Sequence, residues 1–198
     1  MRRGGLTEAE KPLVVDLAVT AMEELLRMAQ ADQHLWMPVD SDNKELLNYE
    51  EHALQFPRGI GFAGPHTGLK TEATRETGPV MSDAVSLVET LDSCEWMEIF
   101  ACMVSRALTV DVLSTDDNGN RHGALQLMYA ELQILSPLVP TREIYSLRYC
   151  KQHTEGIWAM LEVSVDGIRD NPPPSLMRYR RRPSGMCIQD KSLTATAR

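Results

Sequence analysis

The apolar residues of this chain change their spacing once, between Met103 and Ala107, and that change limits the folds open to it. Before it they recur every three or four residues, the period of a half-buried helix. After it they alternate, the period of a strand with two unlike faces. Helices first and strands second, with no internal repeat, predict an α+β architecture rather than a parallel α/β sheet.

In the helical half, Val14, Leu17, Ala18, Ala21, Met22, Leu25 and Met28 fall on one stripe. Thr7 and Glu10 have the spacing of a capping box. Pro12, however, cannot donate the backbone bond that a helix starting at Thr7 needs, so the regular helix is placed nearer Lys11. It ends before Trp36-Met37-Pro38. A short helical run from Lys44 to Gln55 is expected to stop at Phe56-Pro57-Arg58-Gly59, followed by a glycine-rich loop from Gly59 to Gly68 and an extended segment from Leu69 to Thr77. Pro79 suits the first turn of another helix, with Val80, Ala84, Leu87, Val88 and Leu91 on one face. Asp92 and Glu95 again have capping-box spacing and open a helix through Trp96, Ile99, Phe100 and Met103.

In the alternating half, strands are expected over Ala107–Ser114, Ala124–Ser136, Glu143–Thr154, Ile157–Asp166 and Leu176–Arg182. Their connectors are short and turn-rich: Asp116 to Asn120, Ser136-Pro137, His153 to Gly156, and Pro183-Ser184-Gly185. Such connectors join antiparallel neighbours, because a parallel pair needs a crossover of about a dozen residues. Pro172-Pro173-Pro174 reads as a rigid connector.

Composition narrows the function. The 198 residues are 43% hydrophobic and 24% charged, which suits one folded domain with a sizeable core. No apolar run approaches the ~20 residues that cross a bilayer, and no apolar segment follows Arg2-Arg3 as in a secretory signal. A formal net charge of −8 argues against direct nucleic-acid binding, which relies on a clustered positive field. Cys94, Cys102, Cys150 and Cys187 are scattered and read as reduced thiols. His34, His52, His66, His122 and His153 have no metal-like spacing, and no nucleotide or nucleophile motif occurs. No cofactor is expected.

The stretches LAVTAMEELLRMAQADQHLW, FPRGIG, EATRETG, GALQLMYAELQILSPLVPTRE, LRYCKQHTEGIWAMLEVSVD and RRRPSG together resemble the START domain of plant class IV homeodomain leucine-zipper transcription factors. SPLVPTRE followed by RYCKQH is the most specific block. The resemblance runs from Thr7 to Asp190 and implies residues 1–6 as a tail, 7–190 as an incomplete START-like domain, and 191–198 as a divergent tail. It also implies a helix-grip fold: a curved antiparallel sheet closing round a long C-terminal helix and an apolar cavity for a lipid or sterol. Nothing here resembles the family's homeodomain or zipper, and Lys191 to Arg198 departs from the strand and gripping helix that follow in the family. The chain therefore reads as a relative truncated at both ends, with a wet concave face, a free strand edge beginning at Met186, and poor solubility when expressed alone.

Arg148 lies inside a strand-like run, where Ile144, Ser146, Arg148 and Cys150 share one face and Tyr145, Leu147 and Tyr149 the other. The resemblance implies a buried charged pair in the cavity, an arginine on this strand facing a carboxylate on the preceding one. Arg148 matches the arginine. Glu131, on one face with Leu127 and Tyr129, is the candidate partner, against the alternative that both residues lie on a wet face. A buried guanidinium needs such a partner, and the pair would offer a polar anchor to a lipid head group. Ile157, Ala159, Leu161, Val163 and Val165 form an apolar face expected toward the cavity or core, with Trp158 pointing the other way. The expected ligand-binding set is Arg148, Glu131, Leu127, Tyr129, Ile144, Ser146, Cys150, Leu161 and Val163. Met103, Met128 and Met160 suit either core or pocket.

Arg178, Arg180, Arg181 and Arg182 resemble a nuclear import signal, although a strand exposing arginines explains them more simply. Arg181-Arg182-Pro183-Ser184 fits a weak and common kinase pattern. The leading expectation is a lipid- or sterol-binding START domain of a nuclear transcription regulator, not an enzyme. Its alternatives are a protein-interaction module that has lost its ligand, and an enzyme of the wider helix-grip superfamily using Glu131 as its acid or base.

Overall fold

A computed structural model of the chain describes residues 6–39, 44–56, 72–92, 96–115, 119, 121–136, 138–165, 177–178 and 180–190. Helix α1 (Lys11–Gln30) begins where Pro12 requires it to. The capping-box residues meet in one direction only: the amide and hydroxyl of Thr7 both donate to Glu10 Oε2, at 2.7 Å each.

Strands β1 (Trp36–Pro38), β2 (Lys44–Leu47) and β3 (Thr74–Glu76) form a small antiparallel sheet in that order, with α2 (Tyr49–Gln55) after β2. The helix expected from Lys44 is thus shorter than its sequence pattern. Asn48 starts it, its side chain accepting from the Glu51 amide at 3.3 Å, and the four residues before it pair with strands on both sides. The Arg75 guanidinium ties this sheet to α1: it pairs with Glu45 and donates to the carbonyls of Ala29 and Ala31 at the helix end.

Helix α3 (Ala84–Asp92) starts five residues after Pro79, because Asp83 supplies the cap, its Oδ1 accepting from the Ser86 amide at 2.9 Å. Helix α4 (Trp96–Ile99) is a single turn rather than a helix reaching Met103. The capping box expected at Asp92 involves residues 93–95, which lie outside the described residues; so do the loop expected from Gly59 to Gly68, the triproline connector and the tail from Lys191.

The main sheet contains β4 (Val104–Ser114), β5 (Leu125–Leu132), β6 (Arg142–Thr154), β7 (Ile157–Ser164), β8 (Met177–Arg178) and β9 (Ser184–Gln189). Along the path β4-β5-β6-β7-β9 every pair is antiparallel, β8 lies off that path beside β6, and the sheet is open among the described residues. The β6–β7 turn closes on Gly156 at φ 72°, a conformation that favours glycine. Two expectations fail near the C-terminal end. Among the described residues of the strand expected over Leu176–Arg182, Met177 and Arg178 alone are in a strand, and they run parallel to the start of β6. Ser184 and Gly185, expected in a turn, open β9.

Register sets the two faces. Leu127 stands opposite Leu147, which stands opposite Val163, and Gln126 opposite Arg148, which stands opposite Glu162. On one face Leu125, Leu127, Leu147, Ala159, Leu161 and Val163 pack against Val14, Ala18, Ala21, Met22 and Leu25 of α1. On the other, Cys150, Trp158 and Met160 pack against Ala84 and Val88 of α3. Trp158 does point away from the Leu161 face. Helices cover both sides of β7, so its buried residues run consecutively instead of alternating.

Candidate functional site

The face beneath α3 carries charge in an apolar setting. Arg148, central on β6, is 3% exposed. Its Nε and Nη2 both donate to Glu162 Oε1, at 3.0 and 2.6 Å, and its Nη1 donates to the carbonyls of Leu91 and Asp92, at 3.1 and 3.5 Å. The same guanidinium therefore satisfies a neighbouring carboxylate and the last carbonyls of α3, where the helix dipole favours a cation. Glu162 Oε2 takes a second guanidinium, that of Arg181, so one carboxylate that is 14% exposed serves two cations. Burial, and then the nearby Arg148, depress the Arg181 pKa to about 10, which leaves it charged at neutral pH.

Two further groups complete the cluster. The Asp92 carboxylate, 1% exposed, lies 2.9 Å from Arg121 Nη1. Its Oδ2 has no aligned hydrogen bond, so the contact is one of charge. Cys150 shares the Arg148 face, and its thiol is pushed up to about 12, by burial first and then by Asp92. It is a neutral, inert thiol at physiological pH. Beside the cluster, a groove of about 310 Å³ runs between α3 and the β4–β5 pair, lined by Glu89, Val112, Ser114, Thr115, Gly119, Arg121, Ala124 and Gln126. Gln126 is the residue directly across from Arg148, so groove and cluster share a face.

The expected partner of Arg148 is corrected. Glu131 stands opposite Glu143, five positions along β6 from Arg148, which is about 17 Å at strand rise, and on the other face of the sheet. Its Oε1 instead accepts from the Tyr129 hydroxyl at 2.6 Å and lies 3.8 Å from Arg106 Nη1. Tyr129 also reaches Glu143 at 3.4 Å, and burial followed by these carboxylates holds its phenol well above the usual range.

Nor do the nine expected site residues surround one space. Arg148, Ile144, Ser146 and Cys150 lie on the α3 side, whereas Leu127, Tyr129, Glu131, Leu161 and Val163 lie on the α1 side. Leu127, Leu161 and Val163 are fully buried in the α1 core. Ile144 packs with Val104, Ala107 and Ala130, at the far end of its face from the groove. The sequence reading missed Glu162, Arg181, Asp92 and Arg121. Only Glu162 left a signal: a lone carboxylate in the apolar run of β7, on the strand that folds back from Arg148 across the His153–Gly156 turn.

A two-sided sheet of this order and the START domain profile, which matches residues 16–196, decide the family. The chain belongs to the START domain family. It is 46% identical over 184 residues to the homeobox-leucine zipper protein ANTHOCYANINLESS 2 of Arabidopsis thaliana, covering 92% of this chain and 22% of that protein. It is 47% identical over 177 residues to the homeobox-leucine zipper protein HDG1 of Arabidopsis thaliana, covering 89% and 21%. With the homeobox-leucine zipper protein ROC6 of Oryza sativa subsp. japonica it shares 43% over 190 residues, covering 91% and 22%. This START domain thus spans about a fifth of the length of those relatives, and none of the three bears an enzyme's name. Among the described residues no helix is long and apolar enough to cross a membrane, and no group of three metal-ligating side chains occurs.

Proposed function

We propose that this START domain binds a lipid or sterol against the sheet face beneath α3, and that it acts without catalysis as the ligand-responsive part of a nuclear transcription regulator. The observation that carries the reading is the Arg148–Glu162–Arg181 cluster, a buried charged group on the sheet face that also carries the apolar Cys150, Trp158 and Met160, with a mostly polar groove beside it. A lipid needs that combination, with hydrocarbon against apolar side chains and its hydroxyl or head group against a fixed polar group. Arg121 and Gln126 line the groove and supply donors on its wall. Cys150, Ser146 and Arg148 belong to the ligand's side of the sheet, while Leu127, Leu161 and Val163 support it from behind.

A ligand that binds only the folded chain stabilises it by RT ln(1 + [L]/Kd), about 2.7 kcal/mol at a hundredfold excess over Kd. That coupling gives the regulator a lipid-dependent level of folded protein. Direct nucleic-acid contact is not assigned to this segment, given its net charge of −8. Native mass spectrometry of the purified chain, before and after exposure to vesicles containing sterol and phospholipid, tests the proposal. A bound lipid in the wild type that is lost in Arg148→Leu supports it. A wild-type chain that takes up neither lipid overturns it, and turnover of the lipid would replace it with an enzymatic reading.

A further inference from the structure

We infer that the groove between α3 and the β4–β5 pair selects lipids by charge: it admits a head group that donates a hydrogen bond and carries no negative charge, and Glu89 enforces the choice. The inference rests on the lipid-binding reading above and names the class of lipid that fits it. Only Val112 and Ala124 among the lining side chains are apolar, so this space suits a head group and not a hydrocarbon chain.

Two lining residues are charged, and their charges are not equally answered. Arg121 has the Asp92 carboxylate at 2.9 Å, itself 1% exposed. Glu89 stands one turn before Asp92 on α3, is exposed, and makes no ion pair among the described residues. Two carboxylates therefore stand against one guanidinium, and the wall is left negative. Any further hydrogen-bond acceptor that Arg121 meets is neutral or anionic, so it makes the wall no less negative. Arg148 and Arg181 are held by Glu162 and do not line the groove. In the sequence Asp116 and Asp117 follow the lining residue Thr115 directly, which adds charge of the same sign.

A bound head group meets that charge at close range. A groove of about 310 Å³ is about one Debye length across at physiological salt, so an anion lodged in it is repelled by Glu89 with little screening. A hydroxyl is attracted instead. Its O–H donates to the Glu89 carboxylate, a charge-assisted bond, and its oxygen accepts from the amide of Gln126, whose carboxamide oxygen already accepts from the Thr109 hydroxyl at 3.4 Å. Sterols, long-chain alcohols and other neutral lipids bearing a hydroxyl belong to the class that fits. Fatty acids and phosphatidic acid do not.

Oleyl alcohol and oleic acid test this, because they share a chain and differ at the head, hydroxyl against carboxylate. The purified chain is incubated with an equimolar mixture of the two at pH 8, where the acid is ionised, and native mass spectrometry reads the ratio retained. The wild type is expected to keep the alcohol over the acid by roughly tenfold, the scale of one like-charge contact near a protein surface. Glu89→Gln, a change on an exposed helix face, is expected to bring that ratio to within about threefold. A thermal melt matching the wild type shows that the variant is folded. Equal retention, preference for the acid, or a ratio unmoved by Glu89→Gln overturns the inference and leaves lipid binding standing. Retention of neither lipid overturns lipid binding and this selectivity with it.

Discussion

Arg148 and Glu162 stand directly opposite each other across the β6–β7 pair, and their side chains meet at 2.6 Å on the face that α3 covers. Because the same guanidinium caps α3, this one contact fixes a helix to the sheet as well as joining two strands. Glu162→Gln removes the carboxylate from two guanidiniums at once and is expected to cost about 3–5 kcal/mol, the range for breaking a buried pair. Arg148→Leu alone is expected to cost a similar amount. The double variant Arg148→Leu/Glu162→Leu should cost clearly less than the sum of the single changes; urea denaturation measures all of them, and strict additivity would show that the pair is not coupled.

Gly185, the second residue of β9, stands opposite Leu161 of β7 with no room for a side chain. A Cβ at this position would sit 1.9 Å from the Met160 carbonyl oxygen, which belongs to backbone and cannot swing aside. Gly185→Ala is expected to cost about 1–3 kcal/mol by forcing the strands apart. Hydrogen exchange should show the loss concentrated in β9, with the β5–β6 pair protected as before.

Two buried titratable groups near Arg182 act on stability in opposite directions. His52, stacked on Phe56 at 4.9 Å, has its pKa lowered by burial and then by Arg182. The unfolded chain therefore takes up that proton first, so the stability His52 contributes is complete above about pH 6.5 and is lost as pH falls toward the folded value. Burial raises the Glu24 pKa despite Arg27 and Arg182, and so its cost appears as pH rises through 4.5. Glu24→Gln should raise Tm at pH 7 and change it little at pH 4. His52→Gln should flatten the fall in Tm between pH 7 and pH 5, and thermal melts across that range check both.

Thiol chemistry should separate Cys102 from Cys150. Cys102 is exposed, whereas Cys150 is buried with its pKa near 12. Iodoacetamide at pH 8 is expected to modify Cys102 while Cys150 stays unmodified until the chain is unfolded. Peptide mass spectrometry reads the order, and early labelling of Cys150 would show that the α3 cover is loose.

The sequence by itself determined the element types and the antiparallel meander, because both follow from local rules: the period of apolar residues, and connectors too short for a crossover. Pro12 placed the start of α1 for the same kind of reason, a donor missing from the chain itself. Local rules were outvoted where another segment competed for the same backbone, as at Lys44–Leu47, which pairs with two strands, and at Pro79, where Asp83 four residues later makes the cap that is used.

Only tertiary structure decided the charged site. Alternation grouped Arg148 with Ile144, Ser146 and Cys150, yet the side on which Glu131 fell depended on register between β5 and β6, and a shift of one residue reverses every side chain. The observed register sends Glu131 to the α1 side and leaves Glu162, across the other hairpin, as the partner. Arg181 and Asp92 reach the cluster from distant segments that no spacing rule connects. A strand's own sequence fixes which residues lie together on a face, while pairing and helix packing fix which face is buried and what each charge meets there.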